Sequence, residues 1–502
     1  MSKYSTVAIC AAVLAATVFL TPFRRELFVG DETKYGEVIR EMRATQTFFV
    51  PVLEGTPFTH KPPLHFWLVD ALTFVFGVHS LWSFVLPSLI AFLALLWFLK
   101  HMTGDWLASF VCGSSLLIWA SAQSARMDVS FTLFLAIGAW TLFRFLETGE
   151  RKQLWWSAIA IGVATLIKGP MAPVIAIVLF AFEWWRRKRV PSGPYAGALI
   201  TMLAIPLLWF VPAVMIAGQH FVNEVVMKQT VGRAVGSWVH RSPPWFYVLH
   251  APGTLFPWFL LFVVALFGFR ERASSVSRFS LSWVLAVVLP YSLLSSKLDV
   301  YMMAMIPPMA IIIAEFVKTE SPRVRNANMA MVFLLFLAAF APRFVHLHGD
   351  AAEMLKLPLV WGFVETLELA YAIAFLIMVV KRSAVVSTLA LGFVPVAAFV
   401  YVAIALMPLA NEMATTRPLI AALAAQNVDG RDIALYTCPH LWSRDIPPRL
   451  ETVRYASANS VGSPVVIATS RKYANDIAAS LAGYHRVAEV KMIGKWFDVY
   501  RR

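Results

Sequence analysis

The chain has 502 residues, of which 59% are hydrophobic and only 14% charged, and it carries a formal charge of +14. Soluble domains hold about 25% charged residues, so this composition excludes an ordinary water-soluble globule. The basic residues gather at the ends of apolar blocks, as in Arg186-Arg187-Lys188-Arg189 and Lys381-Arg382; that is the signature of cytoplasmic membrane loops and sets nucleic acid aside as a partner.

In chain order, the first apolar block runs over 5–23 and is followed at once by Arg24-Arg25. Its length favours an uncleaved first span over a signal peptide. A long loop, 24–80, comes next and is dense in charge. Gly30-Asp31 precedes a helical pattern over 32–45, which makes Asp31 the expected N-cap. That helix puts Tyr35, Val38, Ile39 and Met42 on one face and turns Lys34, Glu37 and Glu41 elsewhere, as expected of a helix on the membrane surface with its charges in water.

The segment 64–78 is apolar but carries His65 and Asp70. As a helix it reaches only about 22 Å, against a hydrocarbon core of about 30 Å. The remaining span-length blocks are 81–99, 105–124, 129–146, 153–167, 170–185, 196–217, 244–268, 279–294, 299–317, 328–345, 359–380 and 384–407. If 64–78 lies in the interface instead of spanning, the clusters Arg186–Arg189, Arg270–Arg278 and Lys381-Arg382 all become cytoplasmic. This arrangement gives about thirteen spans, an inside N-terminus and an outside C-terminus.

From about residue 409 the composition changes. Strand-length apolar stretches appear at Ile433–Tyr436, Val465–Thr469 and Trp496–Tyr500, with helical pattern at 411–426 and 471–482. The expected fold is an all-α polytopic membrane protein over 1–408, with juxtamembrane helices in its first outer loop and a small C-terminal α/β domain over 409–502. Cys10, Cys112 and Cys438 form neither a disulfide framework nor a metal-ligand spacing. Cys438, His440 and Trp442 in the tail are read as structural.

This topology places two carboxylates on the outer face, Asp31 in the first loop and Asp128 in a short turn between spans. An Asp near bilayer depth is costly unless it meets a cavity or a cation; its plain structural reading is a salt bridge with Arg126 or a helix cap. Cations share that face: Lys61, Lys168, Arg233, Arg241 and Lys297. Several of them near two carboxylates suit a reaction in which a phosphate departs, because fixed cations stabilise the developing negative charge. His60 and His240 sit on outer loops beside basic and Pro-bearing motifs. Imidazole suits zinc, yet ordinary loop histidines are the commoner reading.

Gly30-Asp31-Glu32-Thr33-Lys34-Tyr35-Gly36-Glu37-Val38-Ile39-Arg40-Glu41-Met42 resembles the first-loop signature of GT-C glycosyltransferases of the protein O-mannosyltransferase superfamily, closest to the bacterial aminoarabinose lipid A transferase branch. The similarity continues through Phe49-Val50-Pro51, His60-Lys61-Pro62-Pro63, Phe66-Trp67, Met127-Asp128, Lys168-Gly169, Ala251–Trp258 and Ser296-Lys297-Leu298-Asp299-Val300-Tyr301, over roughly 5–320 in order. The resemblance implies a GT-C-like fold in the inner membrane and a polyprenyl-phosphate (undecaprenyl-phosphate) sugar donor. Catalysis would then be periplasmic, with lipid A, another envelope glycolipid or a protein as acceptor. It makes Asp31 and Asp128 the catalytic carboxylates and Lys61, Lys168 and Tyr301 contacts of the donor phosphate, with Lys34 and Lys297 beside them and Glu32 and Arg241 as loop residues of the substrate site.

Two departures from the family pattern stand out. Lys34 replaces the usual Arg, which removes a bidentate phosphate contact. His60 replaces a Glu at the position where relatives place zinc, shared with a loop histidine that His240 matches, so a structural zinc ion is expected only through that pair. A rival class, a lipid or sugar transporter, predicts an inverted repeat; Glu365 and Glu368 in one late span have no symmetric counterpart.

Overall fold

The computed structural model describes residues 3–232, 241–344 and 356–502. Helices dominate. In order the first are α1 (Lys3–Thr17), α2 (Asp31–Thr45), α3 (Leu64–Phe76), α4 (Leu81–Thr103), α5 (Leu107–Gly113), α6 (Leu116–Ala122), α7 (Asp128–Thr148), α8 (Arg151–Lys168) and α9 (Met171–Arg187). Among the described residues eight helices are long and apolar enough to cross a bilayer, α4 and α7 among them. A bent pair, Phe246–Thr254 and Phe259–Leu266, turns by 116° and would add a ninth. α7 stops at Gly149, whose φ of 71° supplies the left-handed cap that closes a helix end.

Two blocks expected as straight spans are broken, each for a local reason. Within 105–124 the hydroxyls of Ser114 and Ser115 donate back to the carbonyls of Phe110 (2.6 Å) and Val111 (3.0 Å). Such back-bonding competes with the helix ladder, and the chain divides into α5 and α6. Within 244–268 the turn falls at Pro257, which has no N–H to continue the ladder.

α3, within the segment 64–78, is a helix of 13 residues, shorter than those long enough to cross a bilayer. Its inner face buries His65, Phe66, Val69, Asp70 and Thr73, while Leu68, Phe74 and Val75 are exposed. Ahead of it a small hairpin pairs β1 (Val52–Leu53) with β2 (Thr56–Pro57).

The tail forms a five-stranded sheet from β3 (Ile433–Tyr436), β4 (Arg454–Ala456), β5 (Val466–Ser470), β6 (His485–Met492) and β7 (Lys495–Arg501), in the order β4-β3-β5-β7-β6. β3 runs parallel to β4 and β5; β7 is antiparallel to β5 and β6. The three apolar stretches are the central strands. β4 and β6 are the edges, and their exposed residues leave no apolar run in the sequence. The helix expected over 411–426 is two, Met407–Ala414 and Arg417–Ala424, because Pro418 starts a new one. The helix expected over 471–482 is only a 3-10 turn, Arg471–Ile477.

The tail packs onto the first loop. Arg444 donates to the carbonyls of Pro22 (2.7 Å) and Arg25 (2.8 Å), and Ser443 donates to Glu26 (3.1 Å). Trp442 lies on α2 at Gly36, where a Cβ would come within 2.9 Å of its ring. The expectation that α2 keeps its charges in water is therefore corrected. Glu37 is buried beneath the tail and paired with Arg40 at 3.0 Å, and Glu32 is buried as well.

Candidate active site

α2 opens one residue earlier than the sequence pattern indicates. Gly30, at φ 124°, takes the cap position that a side-chain-bearing residue fills poorly, so Asp31 is the first helical residue and not the N-cap. Its carboxylate is thereby free for another partner. The next residue fixes the geometry: buried Glu32 accepts the N–H groups of Phe28 and Ala125, each at 2.8 Å, and pairs with Arg25. Arg25 in turn donates to the carbonyl of Gln123 at 3.1 Å. Glu32 thus clamps the start of α2 to the turn that leads into Asp128.

Across that clamp the two carboxylates share one guanidinium. Arg126 places Nη1 3.1 Å from Asp31 and Nε 3.0 Å from Asp128. Asp128 is buried, and its other oxygen pairs with Lys168, the last residue of α8. An isolated carboxylate at this depth would be very costly; two cations offset that cost. Of the two structural expectations for Asp128, the salt bridge with Arg126 holds; the cap of α7 is Met127, and Asp128 is the first residue of that helix. Lys168 Nζ also lies 5.0 Å from the centre of the Tyr301 ring and 5.4 Å from that of Phe131. Tyr291 stacks on Tyr301 at 4.9 Å. Lys61 is near enough for its charge to act on Asp128.

Tyr35 and His65 line the same cluster and escaped the sequence reading, which treated Tyr35 as one of an apolar face and singled out His65 only as a reason to doubt a span. Burial raises the Tyr35 phenol well above its usual range, and the Asp31 and Asp128 charges add to this, so it stays protonated. Burial pushes the His65 imidazole down to about 4 against the pull of Asp128, so it is neutral. Nothing in the spacing marks either residue. Arg126 was legible two positions before Asp128, but its second partner was not.

Other expected site residues lie elsewhere. Lys34 faces the tail, lining with Asp31 a cleft of about 660 Å³. Lys297 is buried and donates to the carbonyls of Leu294 and Ser242, fastening two loops. Arg241 is exposed and its backbone bridges to Ser296. Arg233 and His240 lie outside the described residues. His60 is exposed, with its ring 5.1 Å from that of Phe58. Zinc takes three or four protein ligands. Among the described residues no three His, Cys, Asp or Glu converge as a metal site, and His240, the expected partner of His60, lies outside them.

The site thus offers a half-exposed carboxylate, a buried carboxylate within a cation pair, and a lysine over an aromatic wall. Comparison with known proteins gives it a context. Residues 60–210 match the family described as dolichyl-phosphate-mannose-protein mannosyltransferase. An uncharacterized protein of Aquifex aeolicus is 29% identical over 329 residues, 63% of this chain and 65% of that one. The undecaprenyl phosphate-alpha-4-amino-4-deoxy-L-arabinose arabinosyl transferase of Pectobacterium carotovorum is 28% identical over 344 residues, 65% of this chain and 62% of its own length. These matches span less than two thirds of the relatives' length. Crystal structures of ArnT from Cupriavidus metallidurans superimpose on 99% of this chain and 98% of theirs at 18% identity, with a TM-score of 0.76 for the form bound to undecaprenyl phosphate and 0.73 for the apo state. The chain is a multi-span membrane protein with the GT-C fold of those structures, and it resembles the aminoarabinose lipid A transferase branch of the protein O-mannosyltransferase superfamily.

Proposed function

We propose that this protein is a glycosyltransferase that moves a sugar from undecaprenyl phosphate, or a closely related polyprenyl phosphate, onto lipid A or another envelope glycolipid. The observation that carries the reading is the pair of carboxylates bridged by Arg126, with Lys168 held between Asp128 and Tyr301. The relatives named for undecaprenyl-phosphate-linked aminoarabinose transfer support the donor class. The bias of Lys and Arg supports a cytoplasmic N-terminus and a periplasmic active site in the inner membrane.

In this mechanism the acceptor oxygen attacks the anomeric carbon. The new C–O bond forms as the bond to the lipid-phosphate oxygen breaks, and the phosphate leaves with the electron pair. If the acceptor is a hydroxyl, its proton passes to Asp31, the more exposed carboxylate. If it is a phosphate it already carries charge, and Asp31 positions it while Asp31 and Asp128 stabilise the cationic sugar centre. Lys168 and Lys61 receive the negative charge of the departing phosphate, with Tyr301 as the wall that keeps water from Lys168.

The family match over 60–210 favours a second reading, transfer to a protein hydroxyl. Mass spectrometry of envelope lipids and glycoproteins from cells with and without the gene separates the two. A glycolipid species one sugar residue heavier, present only with the gene, is the expected result. A change confined to glycoproteins selects the second reading, and no change in either class removes both.

A further inference from the structure

The cleft of about 660 Å³ beside Asp31 is within the range of small-molecule sites, and the mechanism above leaves it without an occupant. One wall is the first turn of α2, with Asp31 and Lys34; the other is the sheet domain, with Lys472, Tyr473, Lys495 and Trp496. Asp31 is the one carboxylate that lines it, and Arg126 already engages that group.

The opposite wall is basic in an ordered way. Arg471 is committed to buried Asp498 and to Glu489, each at 2.6 Å, and its guanidinium lies 5.0 Å from the centre of the Trp496 ring. Lys472 Nζ sits 5.1 Å from the centre of the Tyr473 ring. Aromatic faces thus support cations along this wall. Lys472 and Lys495 are exposed, and neither has an ion-pair partner among the described residues. Positive charge in a cleft focuses potential and draws in anions.

Asp31 therefore stands between two cationic regions. On the membrane side are Lys168 and Lys61, to which the reading above assigns the departing phosphate. On the tail side are Lys34, Lys472 and Lys495. One anion cannot occupy both regions while the carboxylate pair lies between them, so the second region calls for a second anionic substrate. Resting on the proposed function, we infer that this cleft is the acceptor site and takes the phosphate-bearing headgroup of a glycolipid, with Lys472 and Lys495 selecting for its charge. A cleft of this volume seated on the first loop of the membrane domain suits a compact sugar phosphate; an extended acidic peptide would need a longer groove.

The test uses the full chain in lipid nanodiscs, with diphosphoryl lipid A, the same lipid with its phosphates removed, a poly-glutamate peptide and inorganic phosphate as probes. Wild type should bind diphosphoryl lipid A about tenfold or more tighter than the dephosphorylated lipid, as expected for one or two charge-assisted bonds. The double variant Lys472→Glu, Lys495→Glu should lose that preference, and Lys472→Gln, Lys495→Gln should lose part of it, while undecaprenyl phosphate binding stays unchanged. With undecaprenyl-phosphate aminoarabinose as donor, the KM for lipid A should rise about tenfold with kcat retained. Equal binding by wild type and the double variant overturns the cleft assignment. So does preference for the peptide, or displacement of lipid A by inorganic phosphate at equal concentration. Turnover that ignores the two lysines removes the cleft but leaves the proposed function standing. Absence of wild-type turnover with this donor excludes aminoarabinose as the transferred sugar, and the binding preference then decides the cleft by itself.

Discussion

Asp128 is nearly sealed from solvent yet meets Lys168 on one oxygen and Arg126 on the other, and Arg126 carries the link onward to Asp31. Charged residues beside apolar spans are expensive, so Asp31, Asp128 and Lys168 could be read from the sequence as candidates. Tyr35 and His65 could not, since their positions fit an apolar helix face equally well. His65 has a testable consequence. A free imidazole titrates near 6.5, whereas burial holds this one at about 4. Between those values the unfolded chain binds a proton that the folded chain does not, so stability is complete above about pH 6.5 and falls as pH drops toward 4. The unfolding temperature in detergent should decline from pH 7.5 to 5. A His65→Phe variant, which keeps the edge-on packing against Tyr35 and Phe66, should decline less. Parallel pH profiles for the two proteins would show that His65 is not the group responsible.

At the level of elements, α2 was recognisable as an amphipathic helix but its partner was not. The apolar pattern over 32–45 is local, whereas the ring that covers Gly36 belongs to Trp442, in the tail. That long-range contact is why Glu37 is buried and paired instead of hydrated. Replacing Gly36 by Leu should push Trp442 away and cost about 1–3 kcal/mol, as overpacking does. The tail should become more sensitive to limited proteolysis and acceptor transfer should weaken, since the cleft walls part. An unaltered digestion pattern would mean that this contact does not hold the tail in place. The same division applies to the sheet. Its buried central strands have apolar runs, but edge strands β4 and β6 are mostly exposed and leave no such trace. The break between α5 and α6 depends on two serine hydroxyls turning back on their own helix, which no hydropathy pattern records.

For the whole molecule, composition alone separated a membrane domain from a mixed tail, and the basic clusters supplied an orientation. About thirteen spans were expected; length and apolarity single out eight helices and the bent pair among the described residues. α1 and α9 fall short in length, and α8 carries Arg151, Lys152 and Lys168 at its ends. Orientation can be read chemically after Cys10, Cys112 and Cys438 are replaced by Ala. A cysteine introduced at Lys188 should resist a membrane-impermeant maleimide in spheroplasts, whereas one at Asp476 should react; the opposite pattern would invert the topology and move the site to the cytoplasm.

The central claim is that Asp31 and Asp128 serve one transfer reaction, and single-turnover kinetics on the purified protein test it most directly. With undecaprenyl-phosphate aminoarabinose and lipid A, wild type should release undecaprenyl phosphate and form sugar-bearing lipid A in equal amounts. Asp31→Asn and Asp128→Asn should each slow that step by at least about 100-fold while undecaprenyl phosphate still binds. Wild-type rates in both variants would contradict the account.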